Sequence, residues 1–181
     1  MNPALLVVDI QNDYFPGGAM ELVGSEAAAG NAAKVLREFR RRGWPVIHVQ
    51  HVSVERGATF FLPNTSGVEI HVSVAPRPDE TVFQKHCPNC FRETPLLDHL
   101  RKKNIQQLVV VGMMTHMCVD TTVRAAFDLE MDCTLIQDAC ATRELRFSGV
   151  TVAAEQVQAS YLAALGTFAK LQPAEEWCKT P

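Results

Sequence analysis

Short continuous apolar runs alternate with longer segments of helical periodicity along most of this chain. Apolar runs of this length are typical of strands buried on both faces of a parallel sheet. They predict strands over residues 4–10, 45–52, 81–85, 107–112 and 132–137, and a weaker one over 167–171. The segments between them predict helices over 26–42, from Thr94 to about Asn104, over 117–130, and from Ser148 or Gly149 to about Leu165. This alternation predicts a three-layer αβα fold around a doubly wound, six-stranded parallel sheet.

Residues 53–80 form the main stretch without a regular pattern. A loop of this length in a compact domain is usually functional or mobile. It contains Phe60, Phe61 and His71, which are side chains suited to contacts with a small molecule. We therefore expect part of this loop to wall a binding pocket.

Composition narrows the class of protein. The 181 residues are 47% hydrophobic and carry a net charge of −3, as expected of a single globular domain spanning residues 1–181. A charge so close to neutral favours neither nucleic acid nor an anionic membrane as a partner. No apolar stretch approaches the roughly 20 residues of a membrane span, and no signal-peptide pattern is present. We therefore expect a cytoplasmic protein whose six cysteines are reduced thiols.

One cysteine stands at a position suited to nucleophilic chemistry. The strand over 107–112 runs through Gly112 into a turn that delivers Cys118 to the predicted start of a helix. At a helix N-terminus the macrodipole stabilises a thiolate and lowers the pKa of the thiol, and a strand-to-helix turn exposes a nucleophile. The alternative is a small buried side chain, which is the commonest role of cysteine.

Two further strand ends offer partners for this thiol. Asp9 lies near the end of the first apolar run, where burial raises the pKa of a carboxyl group toward that of a useful general base. The alternative, a turn or capping aspartate, suits Asp13 better. Lys85 ends the third strand, and alone it would be an ordinary surface lysine. Because the carboxyl ends of parallel strands share one edge of the sheet, Asp9, Lys85 and Cys118 are predicted to meet there.

The segments around these three residues resemble the isochorismatase-like cysteine hydrolases, which include nicotinamidases, N-carbamoylsarcosine amidase and isochorismatases. The resemblance rests on the DxQND segment that begins at Asp9, on Lys85 after the third strand, and on the pattern GxxTxxCVxxTxxxA around Cys118. It runs from about Ala4 to Leu171. The string GMMTHMCVDTTVRAA looks most like the branch that includes streptothricin hydrolase.

The resemblance implies roles for individual residues. Asp9 would be the base, Cys118 the nucleophile, and Lys85 the group that orients and stabilises both. The resemblance also implies a cis peptide bond between Met113 and Met114, which would aim the backbone N–H groups of Met114 and Cys118 at a developing oxyanion.

Family members are commonly oligomeric, so the resemblance implies a homo-oligomer. The sequence adds support in Phe168 and Trp177 near the C-terminus, and in Phe127 near the far end of the nucleophile helix. Aromatic side chains are enriched in the cores of interfaces. The alternative is that these residues pack on their own sheet.

Two other groups of residues raise the question of a metal or redox site. Cys87 and Cys90 form a CxxC pair, but no second pair completes a zinc site, and we expect Cys90 and Phe91 to pack at the rim of the pocket. His51 ends the second strand, where nicotinamidases carry a metal-binding DxH segment. This chain has Val49-Gln50-His51 there and lacks the aspartate, so we expect neither a metal nor another cofactor.

These features predict a cysteine hydrolase that acts on a small molecule, at a C–N bond of an amide or lactam, through a thioester acyl-enzyme. One alternative is an isochorismate-type vinyl ether hydrolase, which uses the aspartate without the thiol. Another is a non-catalytic, oligomeric binding module that keeps the triad by descent. Candidate contacts to substrate are Gln11, Phe15, His51, Phe60, Phe91, Thr115 and His116.

Overall fold

Parallel strands form the central sheet in the computed structural model, which describes residues 3–179. The strands are β1 (Ala4–Val8), β2 (Val46–His51), β3 (Thr81–Lys85), β4 (Gln107–Met113), β5 (Asp132–Ala141), β6 (Leu145–Phe147), β7 (Val150–Val152) and β8 (Lys170–Gln172). The six-stranded sheet has the order β3-β2-β1-β4-β5-β8, and its neighbouring strands are parallel. The predicted doubly wound α/β fold is confirmed.

Helices cover both faces of this sheet. They are α1 (Ser25–Arg42), α2 (Leu96–Lys102), α3 (Asp120–Asp128), α4 (Ala154–Leu165) and α5 (Ala174–Lys179). The core on one face contains residues of α1 and α5, and the core on the other contains residues of α2, α3 and α4. Successive residues of β1 point to opposite faces, so Leu5 and Val7 belong to the first core, and Leu6 and Val8 to the second. Among residues 3–179, no helix is long and apolar enough to cross a membrane.

The helix predicted to open at Ser148 or Gly149 is wrong at its start, because those two residues are the turn of a hairpin. Strands β6 and β7 pair antiparallel, with Phe147 opposite Val150. Ser148 and Gly149 both have positive φ, 49° and 80°, as the central residues of a two-residue hairpin turn require. The Ser-Gly pair between alternating residues is the signal for this turn. Helix α4 begins only at Ala154.

Other elements also differ from the prediction. Strand β5 runs to Ala141, four residues beyond the predicted end, β8 spans Lys170–Gln172 and not 167–171, and the helix α5 after it was not predicted. The predicted nucleophile helix begins as a π-helical turn over Thr115–Val119, and α3 takes over at Asp120. Cys118 therefore lies in a widened turn that precedes the regular helix.

The C-terminal aromatic residues pack within the chain. The Trp177 ring stacks on Phe39 of α1 with centroids 5.0 Å apart and planes within 3° of parallel. Phe168 packs edge-on against Phe127, with centroids 5.3 Å apart. These contacts agree with the alternative interpretation, in which the aromatic residues pack on their own sheet. They therefore give no support to self-association.

A glycine allows β1 and β4 to approach each other beside the site. Gly112 pairs with Val8 and has a φ of +145°, and a Cβ at this position would overlap the carbonyl oxygen of Val8. The register between β4 and β5 also shifts here, between Val110 and Gly112. Because Val8 directly precedes Asp9, this close approach sets the position of a predicted site residue.

We predict that Gly112→Ala lowers the free energy of unfolding by about 2–4 kcal/mol, because the new Cβ meets the Val8 carbonyl in a backbone region that side chains rarely adopt. For a chain of this size this corresponds to a fall in Tm of about 5–12 °C, measurable by circular dichroism. Gly30→Ala is the control, because Gly30 lies within α1 with open space around it. Equal Tm values for the two variants would contradict the prediction.

Candidate active site

The three residues singled out from the sequence meet at the carboxyl edge of the sheet. Asp9 follows β1, Lys85 ends β3, and Cys118 lies in the π-helical turn after β4. Their exposed fractions are 0%, 1% and 4%. Strand order places β2 between β1 and β3, so the Lys85 side chain reaches across the end of β2 to meet Asp9.

The Lys85 ammonium is the centre of the cluster. Its Nζ lies 2.6 Å from Asp9 Oδ2, donates to Cys118 Sγ at 3.2 Å, and lies 3.0 Å from His51 Nδ1. These three contacts match the three N–H donors of an ammonium group. One cation thus joins a carboxylate, a thiol and an imidazole.

The electrostatics fix the protonation states. Burial disfavours the charged form of Lys85, but the Asp9 carboxylate beside it outweighs burial and raises the pKa of Lys85 above its usual value. Burial raises the pKa of the Cys118 thiol well above its usual range, Asp9 raises it further, and Lys85 opposes both. The expectation of a thiol pKa lowered by a helix dipole is therefore wrong. Cys118 is a protonated thiol at neutral pH and needs a base.

Asp9 is positioned to be that base. Its backbone adopts a left-handed φ of 49°, which is uncommon for a residue other than glycine. Its N–H donates to Val49 O at 3.0 Å, so the turn is held against the end of β2. Among residues 3–179, Asp9 Oδ1 has no hydrogen-bond partner. Oδ2 faces the Lys85 ammonium, and transfer of the thiol proton to Asp9 stays a prediction.

His51 is a neutral acceptor in this cluster. Burial, and then the Lys85 charge, lower its pKa to about 4, so Nδ1 accepts a hydrogen bond from the ammonium. Ligand atoms of Asp9, His51 and Cys118 lie within 4.8 Å of one another, a spacing that a metal ion could use. The Lys85 ammonium, however, contacts all three residues, and a metal would have to displace it. These residues fit a metal poorly, and metal-independent activity stays a prediction.

The turn that carries Cys118 is held by its backbone. The peptide bond between Met113 and Met114 is cis, at the position that the resemblance implies. The N–H groups of Met117 and Val119 donate to Met114 O, which closes the turn around Cys118. Use of the Met114 and Cys118 N–H groups as an oxyanion hole stays a prediction.

The side chains of Gln11, Asn12 and Asp13, which follow Asp9 closely in sequence, hold the long loop over residues 53–80. Gln11 Nε2 donates to the carbonyls of His51 and Val68 at 2.8 and 2.7 Å, and Gln11 Oε1 accepts the His51 N–H at 2.7 Å. Asn12 Nδ2 donates to Ser66 O at 2.8 Å. Asp13 Oδ2 accepts the Phe61 N–H at 2.6 Å. Part of the loop over residues 53–80 is thus anchored to the strand end that carries Asp9, and its role as a wall of a binding pocket stays a prediction.

Most of the other residues predicted to contact substrate make hydrogen bonds or ring contacts within the protein. Gln11 Nε2 donates to the His51 carbonyl at the end of β2 and to the Val68 carbonyl in the long loop, and a contact of Gln11 with substrate stays a prediction. Thr115 is fully buried and donates to Ala141 O at 3.2 Å. His116 Nδ1 lies 2.5 Å from Thr142 Oγ1. Phe15 stacks on His71 with ring centroids 3.6 Å apart.

Two of the predicted contacts are half-buried aromatics. Phe60 lies 4.9 Å from Phe61 and 6.0 Å from Tyr14, measured between ring centroids. Phe91 packs against the second core, near Cys90, whose N–H donates to Thr122 Oγ1 at 3.1 Å. Cys87 and Cys90 are free thiols, and Cys90 packs in the core as expected.

Sequence reasoning missed Tyr14. Its ring is 1% exposed and packs 4.5 Å from Phe61. Burial raises its pKa well above the usual value, and the charges of Cys118 and Asp9 raise it further. Tyr14 comes one residue after the DxQND segment, and this proximity was the only signal for it.

The comparisons with known proteins agree with this geometry. Residues 3–171 match the model of the isochorismatase domain. The chain belongs to the isochorismatase family. It is 50% identical over 180 residues to the isochorismatase family protein YddQ of Bacillus subtilis, which is itself uncharacterized, covering 99% of this chain and 100% of YddQ. The family places the protein among hydrolases.

Solved structures give the same result. A protein of Oleispira antarctica described as an isochorismatase hydrolase superposes with a TM-score of 0.94 at 47% identity, covering 98% of this chain and 96% of that one. The N-carbamoylsarcosine amidase of Thermoplasma acidophilum superposes with a TM-score of 0.81 at 25% identity, covering 97% and 98% of the two chains. The resemblance drawn from the motifs is confirmed.

We predict that His51 lowers the free energy of unfolding of this protein in mild acid. Its pKa is about 4 in the folded chain against the usual 6.5. As pH falls from 6.5 towards 4, the unfolded chain therefore binds a proton that the folded chain does not, and stability is lost. Between pH 7.5 and pH 5 the wild type should lose roughly 1 kcal/mol more than His51→Asn, after allowance for partial exposure to solvent.

Urea titrations at the two pH values measure this difference. His86→Asn, at an exposed histidine, controls for the loss of a histidine and should follow the wild type. An acid-induced loss that is the same in His51→Asn and wild type would contradict the predicted role of His51.

Proposed function

We propose that this isochorismatase-family hydrolase cleaves a C–N bond of a small-molecule amide or lactam by nucleophilic catalysis. The observation that carries the proposal is the contact of one buried ammonium with both a carboxylate and a thiol, Lys85 with Asp9 and Cys118. A buried thiol that is protonated at rest, beside a carboxylate with a free oxygen, forms a nucleophile and its base.

The first step transfers the thiol proton to Asp9. The Cys118 sulfur then attacks the carbonyl carbon of the substrate, the S–C bond forms, and the carbonyl π electrons move to oxygen. Lys85 stays charged and in contact with both groups, so it compensates the negative charge as that charge moves from carboxylate to sulfur. The backbone N–H groups of Met114 and Cys118 are the proposed donors to the oxyanion.

Collapse of the tetrahedral intermediate breaks the C–N bond. The protonated Asp9 gives its proton to the leaving nitrogen, and a thioester remains on Cys118. Asp9 then removes a proton from water, whose oxygen attacks the thioester carbon. The thiolate leaves and regains a proton from Asp9, which returns the enzyme to its resting state.

The proposal predicts that activity depends on Cys118 above every other thiol. In a screen of amides, lactams, carbamoyl compounds and isochorismate, Cys118→Ala should lower kcat by at least about 10³-fold on the best amide. Mass spectrometry of acid-quenched wild type should show the acyl group on Cys118. Cys133→Ala is the control, because Cys133 is buried at the other end of the sheet, beside Leu108, and should stay within about threefold of wild type.

Two outcomes would overturn this chemistry. Retained activity of Cys118→Ala on isochorismate would indicate vinyl ether hydrolysis driven by Asp9 alone. A wild type that binds members of the panel without turning any of them over would indicate a binding module.

We also propose that the chain self-associates as a homo-oligomer through the β6–β7 hairpin. Phe147 and Val150 flank the hairpin turn and are 81% and 61% exposed. Neighbouring exposed apolar side chains are typical of an interface with another chain. A second copy of this chain is the occupant we propose.

Light scattering tests the proposed association. Wild type at micromolar concentration should have a mass above the 20.0 kDa of one chain, and Phe147→Glu should shift it towards the single chain. Val72→Glu, at a residue that is also 81% exposed but lies in the long loop, should leave the mass unchanged. A wild-type mass of one chain would refute the oligomer.

A further inference from the structure

A cleft of about 390 Å³ lies at the amino edge of the sheet, opposite the edge that carries the triad. Its lining includes the first residues of β4 and β5, Gln107 and Asp132. Strand β4 runs for seven residues from there to Met113, so roughly 20 Å separate the cleft from the turn that carries Cys118. Small-molecule sites in proteins have volumes of about 300–1,000 Å³. The cleft is therefore large enough for a ligand and separate from the triad.

The floor of the cleft is polar where the rest of the same sheet face is apolar. Residues two apart on a strand share a face, so Gln107 lies on the face of Val109. Asp132 and Thr134 lie on the face of Ile136. Val109 and Ile136 are buried in the first core, whereas Gln107 and Asp132 are exposed and Thr134 is half-buried. The sequence thus places hydrogen-bonding groups where the helices leave the sheet uncovered.

Both tryptophans of the chain, Trp44 and Trp177, line this cleft. Phe39 stacks on Trp177 with centroids 5.0 Å apart and lies edge-on to Trp44 at 5.5 Å. The Arg42 guanidinium carbon lies 4.7 Å from the Trp44 centroid and 5.6 Å from that of Trp177, and Arg42 Nε donates to Glu38 Oε1 at 2.5 Å. Contacts within the protein therefore hold both rings. They form a rigid aromatic wall that a flat ligand contacts at little cost in side-chain entropy.

Four polar side chains of the cleft have hydrogen-bonding groups that the protein does not use. Asp132 lies opposite Gln107 across the β4–β5 pair. Lys170 lies opposite Thr134 across the β5–β8 pair. Among residues 3–179, none of these four side chains makes a hydrogen bond or an ion pair. They include donors and acceptors, and a ligand can bind them without breaking a contact inside the protein.

The charges and the shape of the cleft indicate the chemistry of its ligand. Lys170 and Asp132 are of opposite sign, and Glu38 compensates Arg42, so the cleft has no surplus charge that would select an ion. Tryptophan rings favour flat π systems. Donors and acceptors side by side favour a ligand edge that carries both. A neutral planar heterocycle with N–H donors and carbonyl acceptors, as in a nucleobase, matches all three properties.

We infer that this cleft is a second binding site, which takes a neutral planar heterocycle of the nucleobase type. The ring lies against the tryptophan wall, and its polar edge faces Asp132, Thr134 and Lys170. The site contains no residue of the triad. The inference is therefore independent of the proposed hydrolysis.

Matched pairs of compounds test the inference. Uracil is compared with dihydrouracil, which has the same polar groups on a ring that is not flat. Hypoxanthine is compared with benzimidazole, which is flat but lacks the carbonyl group. Calorimetry with Cys118→Ala measures binding without turnover, and uracil and hypoxanthine should each bind at least about fivefold more tightly than their partner compound. Both should also change the tryptophan fluorescence of wild type, because the two tryptophans lie in the cleft.

Substitutions in the cleft separate its two recognition elements. Trp44→Leu should weaken binding of uracil and hypoxanthine at least about fivefold, while Trp44→Phe keeps a flat ring and should retain most of the affinity. Asp132→Ala removes an acceptor and should weaken binding by about threefold or more. Asp128→Ala is its control, because Asp128 is exposed at the end of α3 and does not line the cleft. Thermal unfolding checks that each variant is folded, and Asp132→Ala, at an exposed residue, decides the matter if Trp44→Leu is not.

Several outcomes would overturn the inference. These are equal binding within both pairs of compounds, affinities that Trp44→Leu and Asp132→Ala leave unchanged, and no binding of uracil or hypoxanthine at millimolar concentration. Wild type and Cys118→Ala should bind hypoxanthine equally within about twofold, since the triad lies at the other edge of the sheet. Binding that is lost in Cys118→Ala would place the compound at the triad and would also contradict a second site.

Discussion

The buried ion pair between Lys85 and Asp9 is the interaction on which the active-site edge depends. Both side chains are withdrawn from solvent, with Nζ and Oδ2 2.6 Å apart. Desolvating two charges costs several kcal/mol per ion, so loss of either partner leaves an uncompensated charge in the interior. The pair also joins β1 to β3 across the end of β2. This explains the role of His51, the last residue of β2. It gives the Lys85 ammonium a neutral hydrogen-bond acceptor where the lysine side chain crosses the end of β2.

The same ion pair decides how the thiol can react. Lys85 Nζ contacts Asp9 at 2.6 Å and Cys118 at 3.2 Å. When a proton moves from sulfur to carboxylate, negative charge moves from one neighbour of the ammonium to the other, and the net charge of the cluster does not change. In a medium of low dielectric this avoids the cost of creating a new buried charge. A thiol with a raised pKa is therefore compatible with catalysis, because the base lies in the same cluster.

Much of the fold was predictable, because strands buried on both faces of a sheet have continuous apolar runs in their sequence. The edge where Asp9, Lys85 and Cys118 meet followed from the geometry of parallel sheets. The state of the Cys118 thiol did not follow, because the sequence shows a position in a turn but not the depth of its burial. The β6–β7 hairpin was missed although Ser148-Gly149 is a turn signal, since the alanine-rich segment after it favoured a helix.

Gln11 shows why residues around the triad were harder to interpret from the sequence than the triad itself. Gln11 belongs to a motif that looks catalytic, yet its amide joins β1 to the long loop. Asn12 and Asp13 hold the same loop, so one short segment positions both the base and the wall beside it. Changes at Gln11 or Asp13 would therefore move Asp9 and the long loop together.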